Sequence, residues 1–136
     1  MVKVLQDIWI ITDGGISCFT RVFNKNLNEQ LFGALLSALN IFAEEVTQGG
    51  LTNFEIQNNR FTIMKEKGFI FVSKSSKKIK ENKVNEELEK VKKKFFDKYK
   101  EIVLDDWDGD ISIFEDFEKS IMDTLEDPIK KFWHDL

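Results

Sequence analysis

One cysteine, one histidine and one proline occur in the 136 residues. A lone Cys18 excludes an intrachain disulfide and fits a reducing compartment. His134 sits two residues from the chain end, too near a terminus to anchor a Ser-His-Asp or Cys-His arrangement. With Cys18 it would supply half a zinc site. No apolar run reaches membrane-spanning length. The N-terminal "MVKVLQDIWIITDGG" lacks the basic-then-apolar order of a signal peptide. Its "DGG" is followed neither by Gly-Lys-Ser/Thr nor by a helix, so it is no phosphate loop. These gaps lead to the expectation of a cytoplasmic protein that is not an enzyme, with no catalytic residues, no metal and no cofactor.

Aromatic residues are plentiful, with thirteen phenylalanines and three tryptophans, and the length suits one compact domain. The net charge of -4 argues against nucleic-acid binding. Its distribution is uneven. Residues 74–100 carry eleven lysines against five acids, and residues 101–136 carry three lysines against twelve acids. The plain reading is a solvated basic helix beside an acidic tail. A basic surface facing anionic lipid or an acidic partner stays open, and with it a peripheral contact with membranes.

"LQDIWIIT" and "ISCFTRVF" flank "DGG", a hairpin signal. They give a first strand over 5–12 and a second over 16–23. The unbroken Ile8-Trp9-Ile10-Ile11 marks the first as central. Asn26 and Glu29 have capping-box spacing ahead of a helix that runs to about Gln48, where Gly49 and Gly50 supply a left-handed stop. "LTNFEIQ", "RFTIMK" and "FIFVS" read as a three-strand meander, the last again central. A lysine-rich linker over 74–83 follows. Val84, Leu88, Val91, Phe95, Tyr99 and Ile102 then have helical spacing. After the "DDWDGD" loop, Ser112 and Glu115 form a second capping box, before a stripe of Phe114, Phe117, Ile121 and Leu125. Asp127-Pro128 opens a short terminal helix. The expected fold is α/β (α+β): a five-stranded mixed sheet of order 2-1-5-4-3, one helix on one face and two on the other.

The acidic loop can be compared with a calcium loop. With Gly109 as its turn glycine, Asp106, Asp108 and Glu115 take ligand positions, but the first position falls on Leu104, which has no ligand oxygen. The plainer reading is a loop that caps the next helix, with Asp110 favouring the helix dipole and Trp107 anchoring it on the core.

"LFGALLSALNIFAEE" after the hairpin, "GFIFVS" closing the meander, then "FFDKY" and "WDGDISIFEDFE" together resemble a longin domain, with the roadblock and profilin-like folds sharing parts of the layout. The element order matches over residues 1–126, leaving 127–136 as a short helical extension. The resemblance implies a non-catalytic docking module in vesicle traffic or small-GTPase control. Its protein partner would be a small GTPase or another longin or roadblock domain, a homodimer included. No coiled-coil heptads follow, so a stand-alone subunit matches better than a longin SNARE. A small-molecule sensor or enzyme on a similar sheet is the alternative.

The first helix suggests where docking occurs. Its apolar arc is wider than one sheet contact needs. Leu31, Leu35, Leu39, Phe42 and Val46 lie at the centre and are expected to face the sheet. Phe32, Leu36 and Ala43 form one flank, Ala34 and Ile41 the other. Loops or the terminal helix would cover the flanks in a monomer. Otherwise they are a partner surface, joined to the second strand as a sheet edge. The expected partner-binding residues are Ser17, Phe19, Arg21, Phe32, Leu36, Ile41 and Ala43.

Overall fold

The computed structural model describes residues 5–22, 28–47, 52–99 and 107–122. Strands β1 (Asp7–Thr12) and β2 (Ser17–Arg21) precede helix α1 (Glu29–Val46). Strands β3 (Asn53–Ile56), β4 (Asn59–Glu66) and β5 (Phe69–Ser76) lead to helix α2 (Glu81–Lys98). A 3-10 segment, Ile111–Phe117, runs into the single turn α3 (Glu118–Ile121). The sheet order is β2-β1-β5-β4-β3, as the two continuous apolar runs require. The expected mixed sheet is corrected: every pairing is antiparallel. The connection through α1 returns the chain to the end where β2 began, so β3 runs in the sense of β2. The meander then brings β5 antiparallel to β1.

Tight turns fix the registers. Gly15 takes a left-handed φ of 94° in the β1–β2 turn, and Lys67 and Gly68 take φ of 52° and 83° between β4 and β5, the pattern of a two-residue hairpin loop. A bulge between Ile10 and Ile11 leaves Cys18 as the extra residue of β2, which turns Cys18 and Phe19 into the same core.

Alternation along β1 and β5 builds two cores. Ile8, Ile10, Phe69 and Phe71 face α2 and the 3-10 segment, meeting Val84, Leu88, Val91, Phe95, Phe114, Phe117 and Ile121. Trp9, Ile11, Ile70 and Val72 point the other way, with Leu36 of α1 and Ile63 of β4. Helices thus lie on both faces, two helical segments on the first and α1 on the second.

Several boundaries differ from the sequence reading. The α1 cap is Asn28, whose Oδ1 accepts from Leu31 N at 2.9 Å, and the proposed Asn26 lies outside the described residues. The helix stops at Val46 with Thr47 as its C-cap, whose Oγ1 donates to Ala43 O; Gly49 and Gly50 lie outside. Strand β5 extends to Ser76 and α2 begins at Glu81, which shortens the linker. The Ser112 capping box is replaced by Asp110, whose Oδ1 accepts from Ser112 N at 3.0 Å and Ser112 Oγ at 2.7 Å. These bonds lower the Asp110 carboxyl below the usual carboxylate range. Ile102, Leu104, Asp106, Leu125, His134 and the 127–136 extension lie outside the described residues.

Candidate functional site

The orientation of α1 reverses the expectation from its apolar arc. The stripe expected to face the sheet faces outward: Leu31 is 69% exposed, Leu35 53%, Phe42 66% and Val46 67%, with Leu39 also exposed. The residues that meet the sheet are small or polar, namely Gly33, Ser37 and Asn40, joined by Leu36 at 2% exposure.

Backbone proximity and directed hydrogen bonds explain this choice. A Cβ on Gly33 would lie 2.6 Å from the Gly15 carbonyl oxygen, and one on Gly15 would meet the Ala34 backbone at 3.3 Å. Only two glycines allow α1 to press so closely on the β1–β2 turn. Ser37 Oγ donates to Asp13 O in the same turn. Further along, Lys65 Nζ of β4 donates to Asn40 Oδ1 and Glu44 Oε1, each at 2.9 Å. Lys65 thereby lowers the Glu44 carboxyl below its ordinary value, with help from its charge and from Asn40. Rotating α1 to bury Leu35 and Phe42 would break all of these contacts and push side chains into the turn.

The side of α1 that looks toward β4 and β3 carries the stripe. Gln30, Gly33 and Ser37 bind the β1–β2 hairpin. Phe32 reaches the other way, with its ring 4.6 Å from Trp9 and 6.3 Å from Phe61. At about 100° per residue, Leu39, Val46, Leu35, Phe42 and Leu31 continue round that side. Below them Phe54 stacks on Phe61 with 4.7 Å between centroids, both half-buried, and Ile56 is exposed. A five-stranded sheet is roughly 24 Å wide at ~4.8 Å per strand, room for two helices about 10 Å across. The α2 face carries two helical segments. Among the described residues the opposite face carries one, set over β1 and β2.

The expected docking residues are only partly brought together. Ile41 is exposed on the outer side of α1. Leu36, with half-buried Phe32 and Ala43, belongs to the inner side. At the β2 edge one residue, Ser17, is occupied. Gln30 Oε1 accepts from Ser17 N at 3.1 Å and its Nε2 donates to Ser17 O at 3.3 Å, closing the outward backbone groups of that residue. Phe19 is buried edge-on against Phe117 at 5.3 Å, and Arg21 Nε pairs with Glu118 Oε1 at 2.7 Å. Sequence reasoning missed the central stripe because it assigned the stripe to the core. The spacing of Gly33, Ser37 and Asn40 on one side of the helix was the available signal.

Cys18 is buried, and desolvation pushes its thiol up to about 12, so it is held as the unreactive thiol at neutral pH. It lines a groove of about 250 Å3 between β2 and the 3-10 segment, with Thr20, Ile111 and Glu115. In the acidic loop, Asp108 Oδ1 accepts from Asp110 N at 3.0 Å and Trp107 Nε1 donates to Asp110 O at 3.1 Å. These carboxylates and the indole are used in holding the loop. Trp107 also packs on Phe114 at 5.5 Å.

No family model matches the sequence, and no curated protein is significantly similar to it. Solved structures do match. Myxococcus xanthus MglB aligns with TM-score 0.58 at 10% identity, over 72% of this chain and 85% of that one. The mammalian SRP receptor aligns with TM-score 0.52 at 14% identity, over 96% of this chain and 98% of the other. Identities this low speak for the fold alone. With the sheet order and the placement of its helices, they make the fold of this chain longin-like.

Proposed function

We propose that this protein is a non-catalytic interaction scaffold whose docking face is the outer side of α1, and that a second copy of the chain lies against it. The observation that carries the reading is the exposed stripe Leu31, Leu35, Leu39, Phe42 and Val46. Taking a large side chain at ~200 Å2, the middle of the aromatic range, it amounts to at most on the order of 600 Å2, at the top of what monomers leave open. A polar rim would bring it near the ~800 Å2 per partner of a specific interface.

Its chemistry favours self-association. From Leu31 to Ala43 α1 carries no charged residue, so a charged partner surface finds nothing to pair with. An identical stripe is complementary by symmetry. About a two-fold axis, two antiparallel α1 helices place Leu39 near the axis, Leu35 opposite Phe42, and Leu31 opposite Val46. The setting in vesicle traffic or small-GTPase control, with a small GTPase or another longin or roadblock domain as a further partner, rests on the longin resemblance.

Sedimentation equilibrium over the micromolar range tests the reading. The parent is expected to dimerise, and Leu35→Glu and Phe42→Glu each to weaken the dimer at least ~10-fold, as loss of a central apolar contact does. Circular dichroism should show both variants folded. A monomeric parent, or two folded variants that associate like the parent, would overturn it.

A further inference from the structure

The opposite face of the sheet is uneven in a way that sets how α2 is held. Phe95 packs against Phe69 and Phe71 at 5.2 and 5.4 Å and against Phe114 and Phe117 at 5.5 and 5.4 Å. Phe96 joins the same ring cluster. Lys92 pairs with Glu66 of β4 at 3.5 Å. The second half of α2 is therefore clamped by aromatic rings and an ion pair to the strand.

From Phe95 the helix runs back toward the far end of β5. Eleven residues of helix to Val84 span about 16 Å, and the four to six strand residues between Phe69–Phe71 and Ser75 cover a similar length, about 13–20 Å. The first half of α2 therefore lies above Ser73 and Ser75. Ser73 pairs with Ile8 and with Thr62 in the ladders, which puts both hydroxyls on the α2 face. Thr62, Ser73 and Ser75 are all buried, and none of their hydroxyls has a hydrogen-bond partner among the described residues. A buried hydroxyl without a partner disfavours the closed state, because opening would hydrate it. Val84 and Leu88 are the buried residues of this half. Its N-cap, Lys80, makes no side-chain cap bond. Just upstream of this half, Arg60 Nη1 donates to Ile79 O at 3.1 Å.

We propose that the first half of α2, from Glu81 to about Lys90, is a locally opening arm. It swings from the hydroxyl strip of β4 and β5 on the fixed aromatic half, with Arg60 as its latch. Opening hydrates Thr62, Ser73 and Ser75 and exposes Val84 and Leu88, while α1 on the other face is untouched.

Amide hydrogen exchange on the full chain tests this. In the parent, amides of Glu86–Lys90 should exchange at least tenfold faster than those of Lys93–Phe96. Arg60→Met should speed the first group several-fold further and leave the second unchanged. Thr62→Val with Ser73→Ala and Ser75→Ala should slow the first group, since an apolar floor no longer rewards opening. Ser73→Ala alone should act in the same direction if the triple variant does not fold. Equal protection of both halves in the parent, or faster exchange in the hydroxyl variants, would overturn the proposal.

Discussion

Gly33 and Gly15 meet backbone to backbone, and that contact decides which side of α1 the protein hides. A Cβ on Gly33 would lie 2.6 Å from the Gly15 carbonyl oxygen. In an open helix, Gly→Ala would stabilise by about 0.8–1 kcal/mol. Here α1 must lift from the β1–β2 turn, with loss of the Ser37–Asp13 bond. Gly33→Ala is expected to destabilise by ~1–3 kcal/mol, the usual range for overpacking, measured as the shift of the urea midpoint. An unchanged or raised midpoint would show that α1 does not rest on the turn.

Adjacent leucines should behave in opposite ways. Leu36 is 2% exposed within the core that includes Trp9 and Val72, so Leu36→Ala should cost ~2–5 kcal/mol. Leu35→Ala, on the exposed stripe, should leave the stability of the isolated protomer within about 0.5 kcal/mol. Thermal unfolding in dilute solution compares the two. If Leu35→Ala is the costlier change, α1 sits the other way round.

The order of the sheet was legible because its signal is simple. Strands buried on both faces need continuous apolar runs, and Ile8–Ile11 and Phe69–Val72 are such runs. The face of α1 was not legible from apolar periodicity. That reasoning assumes the sheet takes the greasiest side, whereas here Gly33, Ser37 and Asn40 trade apolar burial for close approach and directed hydrogen bonds. The covering of Ser17 at the β2 edge was not legible either. Nothing local in "ISCFTRVF" shows that Gln30, thirteen residues beyond Ser17, folds back to bind that residue. The third helix was over-read as well, since its Phe114–Phe117 stripe also fits the shorter repeat of a 3-10 segment.

The Lys65–Glu44 contact has a pH signature. The folded Glu44 carboxyl is held below its ordinary value, first by its bond to Lys65. The contribution is fully present above the unfolded pKa, about 4.3 for glutamate, and is lost as pH falls through the lower folded value. Carboxyl-carbon NMR titration should give a Glu44 midpoint below the ordinary glutamate value, and Lys65→Met should raise it. Equal midpoints in parent and variant would show that Lys65 does not hold Glu44.

Cys18 should be chemically silent in the folded chain. Its burial and a thiol pKa raised to about 12 leave little thiolate at pH 8. A colorimetric disulfide reagent is expected to react with the native thiol at least ~100-fold more slowly than with the unfolded one, whose pKa is about 8.5. Comparable rates would mean that the β2 edge opens freely.

That silence allows a direct test of the docking face by cysteine cross-linking. Leu39 lies on the exposed stripe, and the two-fold pairing of α1 helices puts it beside its own copy. Leu39→Cys should give a covalent dimer under mild oxidation, while the parent, whose single thiol is buried, stays monomeric on a denaturing gel. The cross-link should vanish when Phe42→Glu is added. A Leu39→Cys protein that remains uncross-linked at concentrations where the parent sediments as a dimer would contradict the proposed face.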